Sequence, residues 1–592
     1  MAAGGRGTLR LLMLRGDLEL ELGRRVASAV GSAFGLVISP EEAVIRPAAP
    51  GRRADYQSNA AMALARRLEV PSPEVAARIV EQLEMGDMLE PPRVEGPGFV
   101  NLLLRPDWLE RHTTDLASDD RLGVPLAAPP RRAVIDYSSP NVAKEMHAGH
   151  LRSTAIGDSI ARLLCFRGHE VIPQNHLGDW GTPFGMLLEH MLDEGWDRAG
   201  QHAIADLNRF YQEARVKFDG DPAFAERARR RVAALQSGDP ETVTLWRELV
   251  AESMRHFERV YELMGVPLTP ADNRGESFYN PMLADVADEL VSRGLAVPSQ
   301  GALCVFPPGF TGRDGEPLPL IVRYSSGGYG YAMTDLAALR YRARDLGADD
   351  LLYVVGADQR LHLQMLFAVG RLAGWLHEGS HVEHVSFGLI LGQDHKRIRS
   401  RSGDSIKLLE LLEEAIDRAA AVVAERSELT DVERGRVARA VGIGAVKYAD
   451  LSGDRDKDYV FDWDRMLAME GNTAVYLQYA NARVQSVIRR AGDASAPGTP
   501  VMLSEPAERA LSLKLAQFPT AIEAAIEHLQ PHRLCTYLYD TAVTFSTFYE
   551  NCPILAADTD ALRASRLVLC ELTSRVMVRG LDLLGIEAPE RL

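Results

Sequence analysis

A short apolar run, Ala133-Val134-Ile135, ends at Asp136-Tyr137 and opens into Ser138-Ser139-Pro140-Asn141-Val142-Ala143-Lys144-Glu145-Met146-His147-Ala148-Gly149-His150. Beyond it Leu151, Ile156, Ile160, Leu163 and Leu164 recur at helical spacing, and Gly168 stands where such a helix would stop. Strand, short loop and helix form the opening unit of a nucleotide-binding α/β sheet. The loop holds no GxGxxG and no GxxxxGK[ST], so neither a dinucleotide fingerprint nor a P-loop applies. It carries His147-x-Gly149-His150 instead. A helix N-terminus offers unpaired N–H groups and the positive end of the helix dipole, which together favour an anion. Two imidazoles can donate to phosphate oxygens as charge moves. Gly149 brings no side chain, so a base or ribose can lie on the backbone of Ala148 and Gly149.

Three later stretches extend the pattern. Glu170 to His176 reads as a second short strand and ends in Leu177-Gly178-Asp179-Trp180-Gly181. Gly327-Gly328-Tyr329-Gly330-Tyr331-Ala332-Met333-Thr334-Asp335 is loose and then helical, with Tyr331 and Asp335 on one helix face. Leu351-Leu352-Tyr353-Val354-Val355 is a buried-strand run that ends in Gly356-Ala357-Asp358-Gln359-Arg360-Leu361-His362, where an open α/β sheet binds its ligand. Between these, 186–265 reads as a charged helical insertion, and the core is expected to resume around 301–306. A strand over 382–391 leads to a basic loop, in which His395, Lys396, Arg397, Arg399 and Arg401 fall within eight residues before Gly403. Such a loop suits a triphosphate.

The run 138–152 resembles the HIGH signature of class I aminoacyl-tRNA synthetases, in its arginyl form. The LGDWG string at 177–181 resembles a segment of the same family. The basic loop stands where that class has KMSKS, but Ile398-Arg399-Ser400-Arg401-Ser402-Gly403 lacks the second lysine. Arginyl enzymes often show this degeneration, and a lysine just before HIGH is then thought to compensate. Lys144 occupies that place. The resemblance implies that His147, His150, Lys144 and Arg401 are catalytic, and that His147, Ala148, Gly149, His150, Ser400 and Arg401 bind ATP. It implies a two-step reaction: L-arginine and ATP, entering with Mg²⁺, give arginyl-adenylate, and the arginyl group passes to the 3′-terminal adenosine of tRNA(Arg).

A guanidinium is planar, permanently charged and rich in donors, so it calls for carboxylates and amide oxygens. Asp136 and Asp335 are the acidic candidates. Tyr331 could cover the guanidinium face, and Asn141, Ser138 and Gln359 complete the set that the resemblance implies. For either carboxylate taken alone, a structural ion pair is the competing reading. The matched context favours ligation more for Asp335 than for Asp136, where a eukaryotic-type pattern often has Glu.

Composition sets the outer limits. The 592 residues suggest several domains. Five scattered cysteines without a CxxC pair argue against zinc and against a disulfide framework, and point to a reducing cytoplasm. No apolar run approaches a membrane span, and 9–14 is too short for a signal peptide. The net charge of −16 is not that of a usual, basic non-specific nucleic-acid binder, and it neither supports nor excludes a specific RNA enzyme whose basic residues are local.

The expected architecture is a Rossmann-like α/β catalytic core with a small α+β N-terminal domain and an all-α C-terminal bundle. The N-terminal domain covers 1–120, with alternating stretches at 10–14 and 43–45 and helices at 60–68 and 73–83. The catalytic domain runs 121–390, the basic loop and junction 391–465, and the bundle 466–592. Helices are expected at 474–491, 505–517, 521–529, 533–550 and 562–584. The ends resemble the additional domain of arginyl-tRNA synthetases, which grips the tRNA elbow, and the DALR-type anticodon-binding domain. The implied tRNA contacts are Tyr56, Gln57 and Asn59, then Tyr479 and Arg483, with a core or solvated role equally open for Tyr56, Tyr479 and Arg483. A monomer is expected. The alternatives are a synthetase for another amino acid and a non-catalytic RNA-binding paralogue.

Overall fold

The computed structural model of the chain describes all residues except 1–17, 49–51, 196–205, 313, 399–405, 425–428, 493–495 and 497. The alternating stretch at 10–14 therefore lies outside the described residues. The chain divides into two compact units. One comprises Ala127–Leu467 with Leu583–Ile586, and the other Met1–Leu126 with Ala468–Asp582 and Glu587–Leu592.

The first of these holds a four-stranded parallel sheet. The apolar run becomes strand β1 (Arg132–Asp136), and the helical repeat becomes α1 (Ala148–Arg167), which Gly168 ends in the left-handed conformation. Strand β2 (Glu170–Gln174) follows. Helix α2 (Tyr331–Arg340) leads to β3 (Asp350–Tyr353), and helix α3 (Arg360–Leu372) to β4 (His381–His384). The sheet order is β4-β3-β1-β2. The chain leaves β1 towards β2 on one side and returns as β3 on the other, so the order reverses between β1 and β3. That gap is where an open α/β sheet opens a crevice beyond its carboxyl ends.

Two sequence expectations change here. The segment Ala302–Val305 does not join the parallel sheet. It is the middle strand of a three-stranded antiparallel sheet with Ala296–Ser299 and Leu320–Arg323, packed in one core with α2 and α3. The run 382–391 is not one strand either. It breaks after β4, and Ile390–Leu391 pairs in parallel with Tyr459–Val460. Both errors have one cause: apolar alternation marks a strand but not its partner.

The insertion is helical, as its composition suggests, with Pro183–Asp193, Leu207–Gly220, Pro222–Gln236 and Pro240–Met264. Its core includes Phe184, Leu187, Phe210, Phe224 and Leu249, and it takes in Val142 and Ala143 from the loop after β1. The segment Leu583–Ile586 seats in the same unit. Buried Lys447 donates from Nζ to the carbonyls of Gly585 at 2.7 Å and Met264 at 2.9 Å, and faces Asp158 of α1. Ser159 Oγ donates to the Leu583 carbonyl at 3.1 Å.

The other unit has an antiparallel sheet in the order Ile45–Pro47, Tyr56–Ser58, Phe99–Leu102, Arg93–Glu95. Leu18–Phe34, Ala60–Leu68 and Ser72–Gln82 pack around Tyr56, Val75, Ile79 and Val100. Its C-terminal helices are Ala474–Ala491, Pro506–Ala516, Phe518–Glu527, His532–Asn551 and Asp560–Leu583, close to the ranges that the periodicity predicts. Arg509 pairs with Asp55 at 2.7 Å, which ties the bundle to the sheet end within this unit.

Candidate active site

A cavity of about 820 Å³ opens at the carboxyl ends of β1 and β3. His147, Ala148, Gly149 and His150 line one side, Gly356, Ala357 and Asp358 the other, and Phe387 and Arg397 complete the wall. Ser153 of α1 sets the two strand ends against each other, accepting from Ser138 N at 2.9 Å and donating to the Val354 carbonyl at 2.6 Å.

The two histidines cap their own helix. His147 is the N-cap, and its Nδ1 accepts from Gly149 N at 3.0 Å. His150 Nδ1 accepts from His147 N at 3.0 Å. An imidazole that accepts at Nδ1 carries its proton at Nε2 when neutral. Burial pushes the His150 imidazole down to about 3, aided by His147. Burial also lowers His147, with Arg397 and Lys144 adding to the effect. Both rings are therefore neutral at pH 7, with Nε2–H left as the donor. A Cβ at Gly149 would stand 2.8 Å from His147 Cε1, so glycine is needed for the cap as well as for ligand access.

The expectation of open backbone donors at this helix end is not met. Ala148 N donates to the Ile406 carbonyl at 2.9 Å, and His150 N to the His147 carbonyl at 2.8 Å. With Gly149 N held by His147, the first turn has spent its N–H groups on the protein. The imidazole Nε2 atoms and Arg397, one of the five basic residues of the triphosphate loop, are the donors offered to an anion here.

Two of the residues expected to hold arginine are already engaged. Asp136 is buried and pairs with Arg342 at 2.8 Å, and its other oxygen accepts from Ser139 Oγ at 2.8 Å. Burial opposes its ionisation, but Arg342, His176 and Ser139 together hold the carboxyl below the usual range. Asp136 is thus a structural ion pair, and the ligand role expected for it is withdrawn. Ser138 is buried too, with Oγ bonded to Tyr261 Oη at 2.8 Å and Thr154 Oγ1 at 3.1 Å, so its hydroxyl is not free for a ligand. Removing one partner of a buried pair leaves a bare charge. Asp136→Ala is expected to lower the stability of this unit by about 3–5 kcal/mol. An unchanged urea midpoint would refute the assignment.

Asp335 stands differently. Its side chain is 29% exposed, Oδ2 bonds His362 Nε2 at 2.7 Å, and Oδ1 lies 3.7 Å from His176 Nε2. Tyr331, one turn before it, is 66% exposed, and its ring centroid lies 5.4 Å from that of His362. Glu276 adds a second carboxylate. Burial, then Asp335 and Asp179 beside it, push its carboxyl up to about 7. A group of acids that repel one another favours a cationic ligand. Glu276, His176 and His362 were not singled out from sequence, because nothing local links 276 to 335. Gln359 is exposed at the end of the turn after β3. Exposed Asn141 bridges in parallel to Gly178 of the LGDWG string, and a Cβ at Gly178 would collide with Asn141 Oδ1. Asp179 of that string is structural, accepting from Ser277 N at 2.8 Å and Ser277 Oγ at 2.7 Å.

The insertion grips the loop before α1. Ser253 Oγ accepts from Ala143 N at 2.9 Å and Asn208 Oδ1 from Glu145 N at 3.1 Å. Lys144 does not line the cavity, and its Nζ sits 4.5 Å from the centre of the Tyr211 ring. Ser400 and Arg401 lie outside the described residues.

Among the expected tRNA contacts, Tyr56 is fully buried in its core, so a base cannot stack on it and the core reading holds. Gln57 Nε2 donates to Asn59 Oδ1 at 2.7 Å, and both side chains are partly exposed. Tyr479 is 39% exposed, and the Arg483 guanidinium lies 4.1 Å above the Tyr549 ring.

A parallel sheet with paired histidines at its reversal point defines the class. Residues 113–463 match the family model of the catalytic domain of class I (R) tRNA synthetases. Residues 20–104 match the arginyl tRNA synthetase N-terminal domain, and 477–592 the DALR anticodon binding domain. The chain is 54% identical to the arginine–tRNA ligase of Thermobifida fusca over 97% of this chain and 100% of that protein. It is 50% identical to that of Frankia casuarinae, covering 96% and 98%. The crystal structure of Plasmodium falciparum arginyl-tRNA synthetase superposes with a TM-score of 0.86 at 27% identity, covering 98% of this chain and all of that one. The chain belongs to the arginine–tRNA ligase family.

Proposed function

We propose that this chain activates L-arginine with ATP and transfers it to tRNA(Arg). The observation that carries this reading is the pair of neutral histidines, each with Nε2–H unengaged among the described residues, at the cavity between β1 and β3 in a member of this family. The arginine carboxylate attacks the α-phosphate in line, forming the acyl phosphate bond as the bond to pyrophosphate breaks. The terminal adenosine hydroxyl of tRNA then displaces AMP. No protein nucleophile is required, so the work is positioning and charge stabilisation. His147 and His150 donate to phosphate oxygens, and Arg397 supplies positive charge beside them. Lys144, Ser400 and Arg401 are assigned to the departing pyrophosphate, and Mg²⁺ enters with ATP. Asp335 and Glu276 face the guanidinium, Tyr331 covers it, and Asn141 and Gln359 hold the amino-acid end.

The N-terminal domain is assigned to the tRNA elbow through Gln57 and Asn59. The C-terminal bundle is assigned to the anticodon through Tyr479 and Arg483. A monomeric cytoplasmic enzyme belongs to the same reading, and its five cysteines are all free thiols. The test is charging of total cellular tRNA with each of the twenty labelled amino acids. Arginine alone is expected to be attached. Another amino acid would overturn the guanidinium site, and RNA binding without charging would overturn the enzyme.

A further inference from the structure

We infer that Lys407 is a positioning residue for amino-acid activation: it locks the strand bridge that holds His147 against the nucleotide cavity. The inference rests on the proposed role of His147. Ala148 N donates to the Ile406 carbonyl at 2.9 Å and Leu408 N to the Met146 carbonyl at 2.8 Å. His147 and Lys407 are thereby directly opposed in an antiparallel bridge whose hydrogen bonds flank the pair. In that arrangement the opposed residues approach most closely. Among the described residues nothing extends the bridge into a sheet, and two backbone hydrogen bonds are a slight hold on a loop that must keep a ring in place.

Lys407 supplies the rest of the hold. Its ammonium lies 2.8 Å from Glu145 Oε2 and 2.9 Å from Asp206 Oδ2, with Glu410 further off at 3.8 Å. Glu145 precedes His147 by two residues. Asp206 caps the insertion helix Leu207–Gly220 through Arg209 N, and Asn208 of that helix accepts from Glu145 N. One cation therefore joins the bridge strand, the loop before α1 and the end of an insertion helix. With two carboxylates on it, Lys407 is not the group that meets phosphate. The two carboxylates raise its affinity for the proton despite partial burial, so the clamp is charged wherever the enzyme works.

The experiment is arginine-dependent ATP–pyrophosphate exchange with tRNA present, on the full chain. Lys407→Met is expected to lower kcat about tenfold, with KM for ATP within about twofold, because a displaced donor costs the transition state and not the ground state. Lys407→Arg, which keeps the charge, is expected to recover most of that loss. In a His147→Asn background, Lys407→Met is expected to change kcat less than about twofold, since it acts through the ring already altered. Full turnover by Lys407→Met overturns the inference. So does a loss confined to KM for ATP, or losses that multiply in the double variant. Should Lys407→Met fail to fold, the pair Glu145→Gln with Asp206→Asn removes the same contacts under the same expectations. If His147→Asn alone is silent, the reading of His147 falls and the inference with it. If His147→Asn is slow and Lys407→Met is not, only the inference falls.

Discussion

His147→Asn is expected to lower kcat for adenylate formation by about 10²–10³ and to leave KM for ATP nearly unchanged. Asparagine is a good N-cap, so its side-chain oxygen can take over the acceptor role of Nδ1 towards Gly149 N. What it cannot reproduce is a donor at the position of Nε2. The substitution thus separates the two jobs of one ring, keeping the helix start and removing the hydrogen bond to the reacting phosphate. Thermal unfolding is expected to stay within a few degrees of the parent. A variant that unfolds early would show that the cap was lost. A variant with normal kcat would show that the Nε2 donor does not act on the transition state.

Asp335→Asn is expected to raise KM for arginine by about 10²–10³ while KM for ATP holds, both read by pyrophosphate exchange. Removing one charge from a close, partly desolvated pair costs about 2–5 kcal/mol, and among the described residues Asp335 is flanked by Glu276 and two histidines, with no arginine or lysine paired to it. The neutral amide of the variant offers one oxygen in place of two and cannot accept a forked, charge-assisted contact from the guanidinium. The contrast with Asp136 is the sharper test. Asp136→Ala should damage stability first, and Asp335→Asn should damage substrate affinity first. An unaltered KM for arginine in Asp335→Asn would remove that residue from the site.

The sequence carried what is local and periodic. Helices Ala60–Leu68 and Ala474–Ala491 lie within a residue of the 3.6-residue pattern, and Gly168 ends α1 where glycine predicts a stop. The His147–His150 cap was not read from the sequence, although its donors and acceptors fall within four residues. What depends on distant partners was not legible. Asp136 and Asp335 look alike on paper, and only the arrival of Arg342 on one and of His362 and His176 on the other sets them apart. Open N–H groups at the start of α1 were a fair expectation until Ile406, far along the chain, took one of them. Tyr56 sits in a polar-looking segment, yet alternate residues of Tyr56–Ser58 face inward, and the pleat decides against its exposure.

The seating of Leu583–Ile586 in the catalytic unit bears on how the ribosome makes this enzyme. Lys447 is translated well before Gly585, and one of the carbonyls that its ammonium needs does not yet exist. At about 5–20 residues per second the interval is roughly 7–28 s. Until Gly585 is made, the ammonium at the junction of α1, the end of Pro240–Met264 and its own helix lacks one of the carbonyls that hold it. The unit therefore cannot be lifted out of the gene as one continuous stretch.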